Sequence, residues 1–273
     1  MKLPLTVFVV IILIGLFLIG FSVTTIFGES ITPPPILEDK PAWLPAPSST
    51  FQIQFTGEID PRVDAQVFDL DAFDTDADTV RQLHNDGKHV ICYINAGAVE
   101  DWRPDAEAFP AEVIGNTYAG WPGEHWLDIR ALDALSPLLS ARLDMCQEKG
   151  FDGVEFDNVD GWQNDTGFDL TAANQLVFDR WLADAAHQRD LTAGLKNDPD
   201  QIIELEPWFD FLILESCFEQ GWCELAHPFT EAGKPVYAIE YSDITPWCED
   251  AEEYAITLVG KSRELGAERQ TCP

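Results

Sequence analysis

Basic residues are scarce in this sequence, which has 16 lysines and arginines against 48 acidic residues and a formal net charge of −32. Nucleic acids and anionic membrane surfaces attract positive charge, so both are excluded as partners. The acidic excess has two compatible interpretations. It is typical of a solvated surface suited to high salt, and it would also attract a cationic substrate.

Motifs for metals and phosphates are also missing. There is no C-x-x-C or H-x-x-x-H spacing of the kind that binds zinc, and no glycine-rich phosphate loop follows the first predicted strands. Residues 74–79, DTDADT, imitate the start of a calcium loop, but the sixth position is Thr79 and the twelfth is Asn85. They are better explained as an acidic helix start. The sequence therefore predicts neither a metal nor a cofactor.

One long run after Lys2, residues 3–27, contains no charged residue and is mostly hydrophobic. The run is close to the length of a membrane span, and no convincing small-x-small cleavage site follows it. We interpret residues 1–28 as an uncleaved membrane anchor or as a signal segment that is cut late. Either alternative places the rest of the chain outside the cell or at its surface. Residues 29–50, rich in proline, are predicted to form a semi-rigid linker.

The six cysteines suit an exported chain, because an even number outside the cytoplasm indicates disulfides. One pairing is predicted, between Cys217 and Cys223, because the segment CFEQGWC closes a short loop that contains Gly221. The spacing of the other four leaves their connectivity open.

Short apolar runs alternate with amphipathic stretches from residue 50 onward. Strands are predicted at 50–55, 65–70, 88–95, 151–157, 191–197, 209–215 and 234–241. Helices are predicted at 76–87, 130–150, 169–190, 199–207 and 249–266. The alternation indicates an α/β fold with a parallel sheet, and the strand count and length favour a (β/α)8 TIM barrel over residues 51–268.

Polar side chains end nearly every predicted strand, at the edge that forms the working face of such a barrel. The strand-end residues that we predict to bind substrate are Asp69, Tyr93, Asn95, Asn158, Lys196, Asn197, Glu240 and Tyr241. Asp160 and Trp162, in the loop after residue 157, form either a substrate-binding lip or a solvated part of that loop. Tryptophans that can stack on sugar rings or fill the core are predicted in loops after strands, at positions 102, 121, 126, 162 and 222.

Two strand ends carry carboxylates after rigid apolar strands: Asp157 ends GVEFD and Glu215 ends FLILE. Hydrolysis of a glycosidic bond needs two carboxyl groups, one protonated and one ionised. The alternative is that Asp157 caps a loop or pairs with an arginine. Lys196 can keep the nucleophilic carboxylate ionised, or it forms a salt bridge without function. Glu155 shares a strand face with Asp157 and is predicted to be the buried partner of a lysine or a tyrosine.

Seven segments in register resemble the glycoside hydrolase family 114 domain: FQIQFTGEID, VFDLDAFDT, HVICYINAGAVEDWR, GFDGVEFDNVDGW, GLKN, FLILESCFEQ and VYAIEY. The resemblance covers about residues 42–265, with Phe51 at a position where we expect tryptophan. It implies a TIM barrel and the endo-α-1,4-polygalactosaminidase activity of that family. It also implies that Asp157 of the FDN motif and Glu215 of the ESC motif are catalytic, as the nucleophile and the general acid/base of a retaining mechanism.

With this resemblance, the sequence predicts an endo-acting hydrolase of α-1,4-linked galactosamine-containing polysaccharide. With free amines such a polymer is a polycation, which the negative charge of the chain would help to capture. The alternative from another class is a non-catalytic polysaccharide-binding barrel, which would not need both carboxylates. A sugar deacetylase would require a metal triad that the sequence does not show.

Overall fold

Residues 41–273 are described by a computed structural model, in which twelve strands form two sheets. The strands are β1 (Phe51–Gln54), β2 (Val67–Asp71), β3 (His89–Asn95), β4 (Ala98–Glu100), β5 (Ile114–Thr117), β6 (Glu124–Leu127), β7 (Gly153–Asp157), β8 (Thr192–Lys196), β9 (Phe211–Glu215), β10 (Val236–Glu240), β11 (Thr257–Gly260) and β12 (Gln270–Thr271). The predicted anchor or signal segment and most of the predicted linker lie outside the described residues.

The main sheet contains, within residues 41–273, eight parallel strands in the order β1-β2-β3-β7-β8-β9-β10-β11, with β12 antiparallel at its edge. The sheet curls so that its two ends meet. Lys261, just after β11, donates a side-chain hydrogen bond to Gln52 of β1 (3.3 Å). The curled parallel sheet confirms the predicted α/β class, and it brings all the carboxyl ends of the strands to one side.

Helices connect and cover the parallel strands. They are α1 (Ala77–Asn85), α2 (Leu132–Lys149), α3 (Ala172–His187), α4 (Ile202–Leu205), α5 (Cys217–Gln220), α6 (His227–Glu231) and α7 (Cys248–Glu253). The side chain of Asp76 caps α1, and Thr171 begins α3 in a capping box. Gly150 ends α2 in the left-handed conformation (φ 88°). The four predicted helices between residues 76 and 207 are confirmed.

Side chains alternate between the two faces of each parallel strand. Those that face the helices form the larger apolar cluster, and those that face the interior of the curled sheet form a smaller one that includes Phe51, Val67 and Tyr237. Gly194 of β8 leaves room for the ring of Phe211, because a Cβ atom at Gly194 would lie 2.2 Å from that ring. The interior is thereby filled with side chains and supports the strand ends from below.

The prediction of a helix over residues 249–266 is wrong beyond residue 253. Helix α7 ends at Glu253, Ala255 adopts a left-handed backbone (φ 57°), and the chain then forms β11. The β-branched residues at 256, 257 and 259 favour a strand at this place. This strand completes the row of eight.

An antiparallel sheet between β3 and α2 is absent from the sequence-based prediction. Its strands lie in the order β4-β6-β5. Trp126, which we predict in a loop, belongs to β6 and is buried. The insertion stands at the carboxyl end of β3, so it contributes to the same side of the molecule as the strand ends.

Three disulfides join all six cysteines: Cys92–Cys146, Cys217–Cys223 and Cys248–Cys272. The predicted pairing of Cys217 with Cys223 is confirmed. The Cys92–Cys146 bond ties β3 to α2, and the Cys248–Cys272 bond ties α7 to the segment that carries β12.

The described end of the predicted linker packs on the domain. Trp43 stacks on His89 with ring centroids 4.5 Å apart, whereas Leu44 stays exposed. Among the helices of residues 41–273, none combines the length and the apolar character that a membrane crossing requires.

Candidate active site

A cleft of about 530 Å³ opens at the carboxyl ends of the parallel strands. The predicted site residues that line it are Tyr93, Asp157, Asn158, Asp160, Lys196, Asn197, Glu215 and Tyr241. They come from five strands or the turns that follow them. The structure therefore brings most of the predicted site together, with both predicted catalytic carboxylates at the floor.

Asp157 ends β7 on the interior face of the curled sheet. The hydroxyl of Tyr93 donates a hydrogen bond to Oδ2 (2.9 Å), and the ammonium of Lys196 donates to Oδ1 (3.1 Å). In the ladder between β3 and β7, Tyr93 is opposite Glu155. Its long side chain therefore extends along the interior face to Asp157, two residues further along β7. Both oxygens of Asp157 are thereby fixed in orientation.

Glu215 ends β9, two strands away from Asp157. The hydroxyl of Tyr241 donates to its Oε1 (2.6 Å), and Lys196 lies 3.6 Å from the same oxygen. The backbone N–H of Glu215 donates to Oδ1 of Asn197 (2.9 Å), which fixes the strand end itself. Glu215 and Asp157 thus have matching surroundings, each with one tyrosine donor and a contact to Lys196.

Lys196 connects the two carboxylates. Its side chain is almost fully buried and also donates to Oε1 of Glu155 (2.9 Å). Burial lowers the pKa of Lys196, but the surrounding carboxylates outweigh burial and hold that pKa well above its usual range. Asp157 Oδ1 and Glu215 Oε1 lie 3.1 and 3.6 Å from the Lys196 nitrogen, so these two oxygens are at most about 6.7 Å apart. This limit allows the separations found between the two carboxyl groups of glycosidases.

Left-handed backbone follows three of the strands that build the site. It occurs at Asn158 after β7 (φ 60°), at Asn197 after β8 (φ 50°) and at Ser216 after β9 (φ 56°). This conformation is uncommon outside glycine, and strained backbone of this kind concentrates at functional sites. In each case it turns the chain immediately after a side chain that belongs to the floor of the cleft.

Two further carboxylates line the cleft beside Asp157. Glu124 of β6 accepts hydrogen bonds from the amides of Asn95 (3.2 Å) and Asn158 (3.4 Å). Burial, followed by the charge of Asp157, raises the pKa of Glu124 to about 7 and that of Asp160 to about 6. Both groups therefore change their charge within the pH range in which proteins work.

The sequence-based prediction missed the part of the site that the β4–β6 insertion contributes. Glu100, Tyr118 and Glu124 line the cleft there, together with the half-exposed rings of Trp102 and Trp121. Residues 124–127, EHWL, show no alternation of polar and apolar side chains, so the sequence contains no clear strand signal there. The predicted stacking positions of Trp102 and Trp121 agree with their place in the cleft.

Four of the predicted substrate-binding residues do not line the cleft. Asp69 and Glu240 are fully buried, Asn95 is buried beneath Glu124, and Trp162 donates through Nε1 to Asp198 (3.0 Å). Glu240 faces the helices rather than the interior, since it accepts the backbone N–H of Phe218 (2.7 Å). The structure thus places these four side chains outside the lining of the cleft.

Comparison with protein families shows which family the chain belongs to. The model of glycoside-hydrolase family GH114 matches residues 33–273, which include every strand and helix described above. The chain belongs to family GH114. It is therefore a glycoside hydrolase, and the resemblance of its strand-end motifs to this family is confirmed.

Solved structures agree with GH114 membership. Ega3 of Aspergillus fumigatus, solved in complex with galactosamine, is 35% identical, and the match covers 86% of this chain and 99% of that chain with a TM-score of 0.82. The glycoside hydrolase domain of PelA from Pseudomonas aeruginosa shares the fold, with 14% identity, coverage of 82% and 98%, and a TM-score of 0.66. An uncharacterized protein of Deinococcus radiodurans is 28% identical over an alignment of 268 positions, and the match covers 84% of this chain and 85% of that protein.

Proposed function

We propose that this GH114 member is an endo-acting hydrolase of α-1,4-linked galactosamine-containing polysaccharide, built on a (β/α)8 barrel. The observation that carries the proposal is the contact of Asp157 and Glu215 with the single ammonium of Lys196 at the floor of an open cleft. The galactosamine complex of Ega3 supports the choice of sugar. A net charge of −32 supports capture of a polymer that carries free amines.

In the proposed mechanism Asp157 attacks the anomeric carbon and Glu215 protonates the leaving oxygen. Lys196 and Tyr93 each donate a hydrogen bond to the attacking carboxylate and orient it. Glu215 then removes a proton from the water that releases the glycosyl-enzyme intermediate, so the anomeric configuration is retained. The two contacting oxygens are at most about 6.7 Å apart, which allows the roughly 5–5.5 Å of retaining pairs and overlaps only the lower end of the roughly 6.5–9.5 Å of inverting pairs.

Export of the enzyme follows from the same proposal. Three disulfides, including the buried Cys92–Cys146 bond, favour an oxidising compartment outside the cytoplasm. An enzyme in the extracellular space or at the cell surface also meets polysaccharide directly. Membrane attachment through residues 1–28 stays a prediction from the sequence.

The proposal is tested with partly deacetylated α-1,4-galactosaminan and mass spectrometry of the released oligosaccharides. The full chain should release oligosaccharides of several lengths, and Asp157→Asn and Glu215→Gln should each abolish the release while the fold is retained. Asp78→Asn is the matched control, because Asp78 is 81% exposed on α1, away from the cleft. A wild type that binds the polymer without cleaving it would favour the polysaccharide-binding barrel.

The division of roles is tested separately. Nuclear magnetic resonance of the first product should show the α configuration. A substrate with an activated leaving group should restore the first step, release of that group, to Glu215→Gln and not to Asp157→Asn, because such a leaving group needs no protonation. A β product would show that the pair inverts.

A further inference from the structure

Asp69 takes no direct part in the proposed reaction, yet it lies beneath the residues that do. It is 0% exposed on β2, and its carboxyl group lies next to that of Glu155 of β7, which is also 0% exposed. Glu155 accepts a hydrogen bond from Lys196 through Oε1 (2.9 Å). Asp69 is thus the lower end of a chain of contacts that runs through Glu155 and Lys196 to Asp157 and Glu215.

Three oxygens of this buried carboxyl pair lack a hydrogen-bond donor among residues 41–273. They are both carboxyl oxygens of Asp69 and Oε2 of Glu155. Buried polar atoms are rarely left without a partner, and two buried carboxylates in contact repel each other. One proton between them removes one negative charge and supplies the missing donor.

The charges that surround the pair agree with a shared proton. Lys196 is the cation that the described residues bring to this pair, and it also serves Asp157 and Glu215. The other titratable groups that face Asp69 are Asp157 on β7 and Tyr237 on β10, and neither is cationic. Burial, followed by the charge of Glu155, raises the pKa of Asp69 well above its usual range.

We propose that Asp69 is a positioning residue that stays protonated in the working enzyme and donates a hydrogen bond to Glu155. The pair then carries one proton and one negative charge, and the charge stays on Glu155 directly below Lys196. Glu155 in this state anchors the ammonium between Asp157 and Glu215. The positioning role rests on the proposed hydrolysis, whereas the proton on Asp69 does not.

Two substitutions distinguish a protonated Asp69 from an ionised one. An amide has the shape of a carboxylic acid and keeps an N–H donor, so Asp69→Asn should change kcat by less than about threefold and leave the pH profile in place. Leucine has a similar size but no donor. We expect Asp69→Leu to lower kcat about tenfold at unchanged KM, and to shift the acid limb of kcat to higher pH as Glu155 loses its donor.

Infrared spectroscopy tests the proton without any substrate. The full-length wild type at pH 7 should show the C=O stretch of a protonated carboxyl group that Asp69→Asn lacks. Absence of this band, or an Asn variant as inactive as the Leu variant, would overturn the proposal. If Asp69→Leu does not fold, the Asn variant and its spectrum decide. A wild type that shows the band but cleaves no polymer would support the shared proton and refute the proposed hydrolysis.

Discussion

Replacement of Lys196 by methionine tests how the floor of the site is held together. Methionine is close to lysine in length but carries no charge, so Lys196→Met removes one ammonium and little volume. The ammonium contacts Glu155 at 2.9 Å, Asp157 at 3.1 Å and Glu215 at 3.6 Å. The lysine side chain is 4% exposed and that of Glu155 is 0% exposed, so water cannot replace the lost contact.

The expected loss of folding free energy follows from that burial. Breaking a buried ion pair by removing one partner costs about 3–5 kcal/mol, because the other charge is left uncompensated. Burial already raises the pKa of Glu155 above 4.5, and Lys196 is the largest opposing influence. Without Lys196 this pKa rises further, and the folded variant binds more protons than the unfolded chain. Its stability deficit should therefore be small near pH 4.5 and grow towards pH 8.

Urea denaturation at pH 5 and pH 8, together with polymer cleavage, measures these effects. At pH 8 the variant should lose about 3–5 kcal/mol, and its kcat should fall about a hundredfold or more because the two catalytic carboxylates lose the ammonium that both contact. Lys88→Met is the matched control. Lys88 donates to the carbonyls of Val63 and Ala65 and pairs with no carboxylate of residues 41–273, so the effect of its loss should not depend on pH between 5 and 8. Equal deficits in the two variants, with the same pH dependence, would refute the reasoning.

Three further predictions concern separate parts of the structure. Tyr241→Phe removes the 2.6 Å hydrogen bond to Glu215 and should lower kcat about tenfold in steady-state assays; an unchanged kcat would contradict this. Burial and Asp157 raise the pKa of Asp160 to about 6, so KM for a cationic polymer should increase as the pH falls through 6 and this carboxylate becomes neutral. Asp160→Asn should abolish this increase of KM at low pH. An increase that persists in the variant would have to come from another titrating group. Replacement of both Cys92 and Cys146 by alanine opens a loop of 54 residues and should cost about 4 kcal/mol in urea denaturation; a loss below about 1 kcal/mol would contradict the estimate.

The residues at the floor of the site could be predicted from the sequence because each ends a short, mostly apolar run that lies between predicted helices and is typical of a parallel strand. Asp157, Lys196 and Glu215 all occupy such positions, and all three meet at the floor. Alternation along a strand also predicts which side chains point to the interior and which point to the helices. Tyr241 shares a face with Tyr237 and points inward, whereas Glu240 shares a face with Val236 and points to the helices.

The rest of the site depends on tertiary contacts that local patterns do not encode. Glu124 reaches the cleft through a three-stranded insertion whose strands have three or four residues each. The strand β11 was hidden because an amphipathic helical pattern continues through its residues, and only the backbone turn at Ala255 separates α7 from it. The depth of Asp69 below the cleft follows from the curl of the sheet, which strand order alone does not give.

The way in which residues 269–272 complete the sheet bears on how the protein is synthesised. Arg269 donates hydrogen bonds to the carbonyls of Phe51 and Asp64, about two hundred positions earlier, and Cys272 is bonded to Cys248. Until these residues leave the ribosome, the edge of β1 stays open, and open strand edges promote aggregation. The ring therefore cannot close before residues 269–272 have been synthesised.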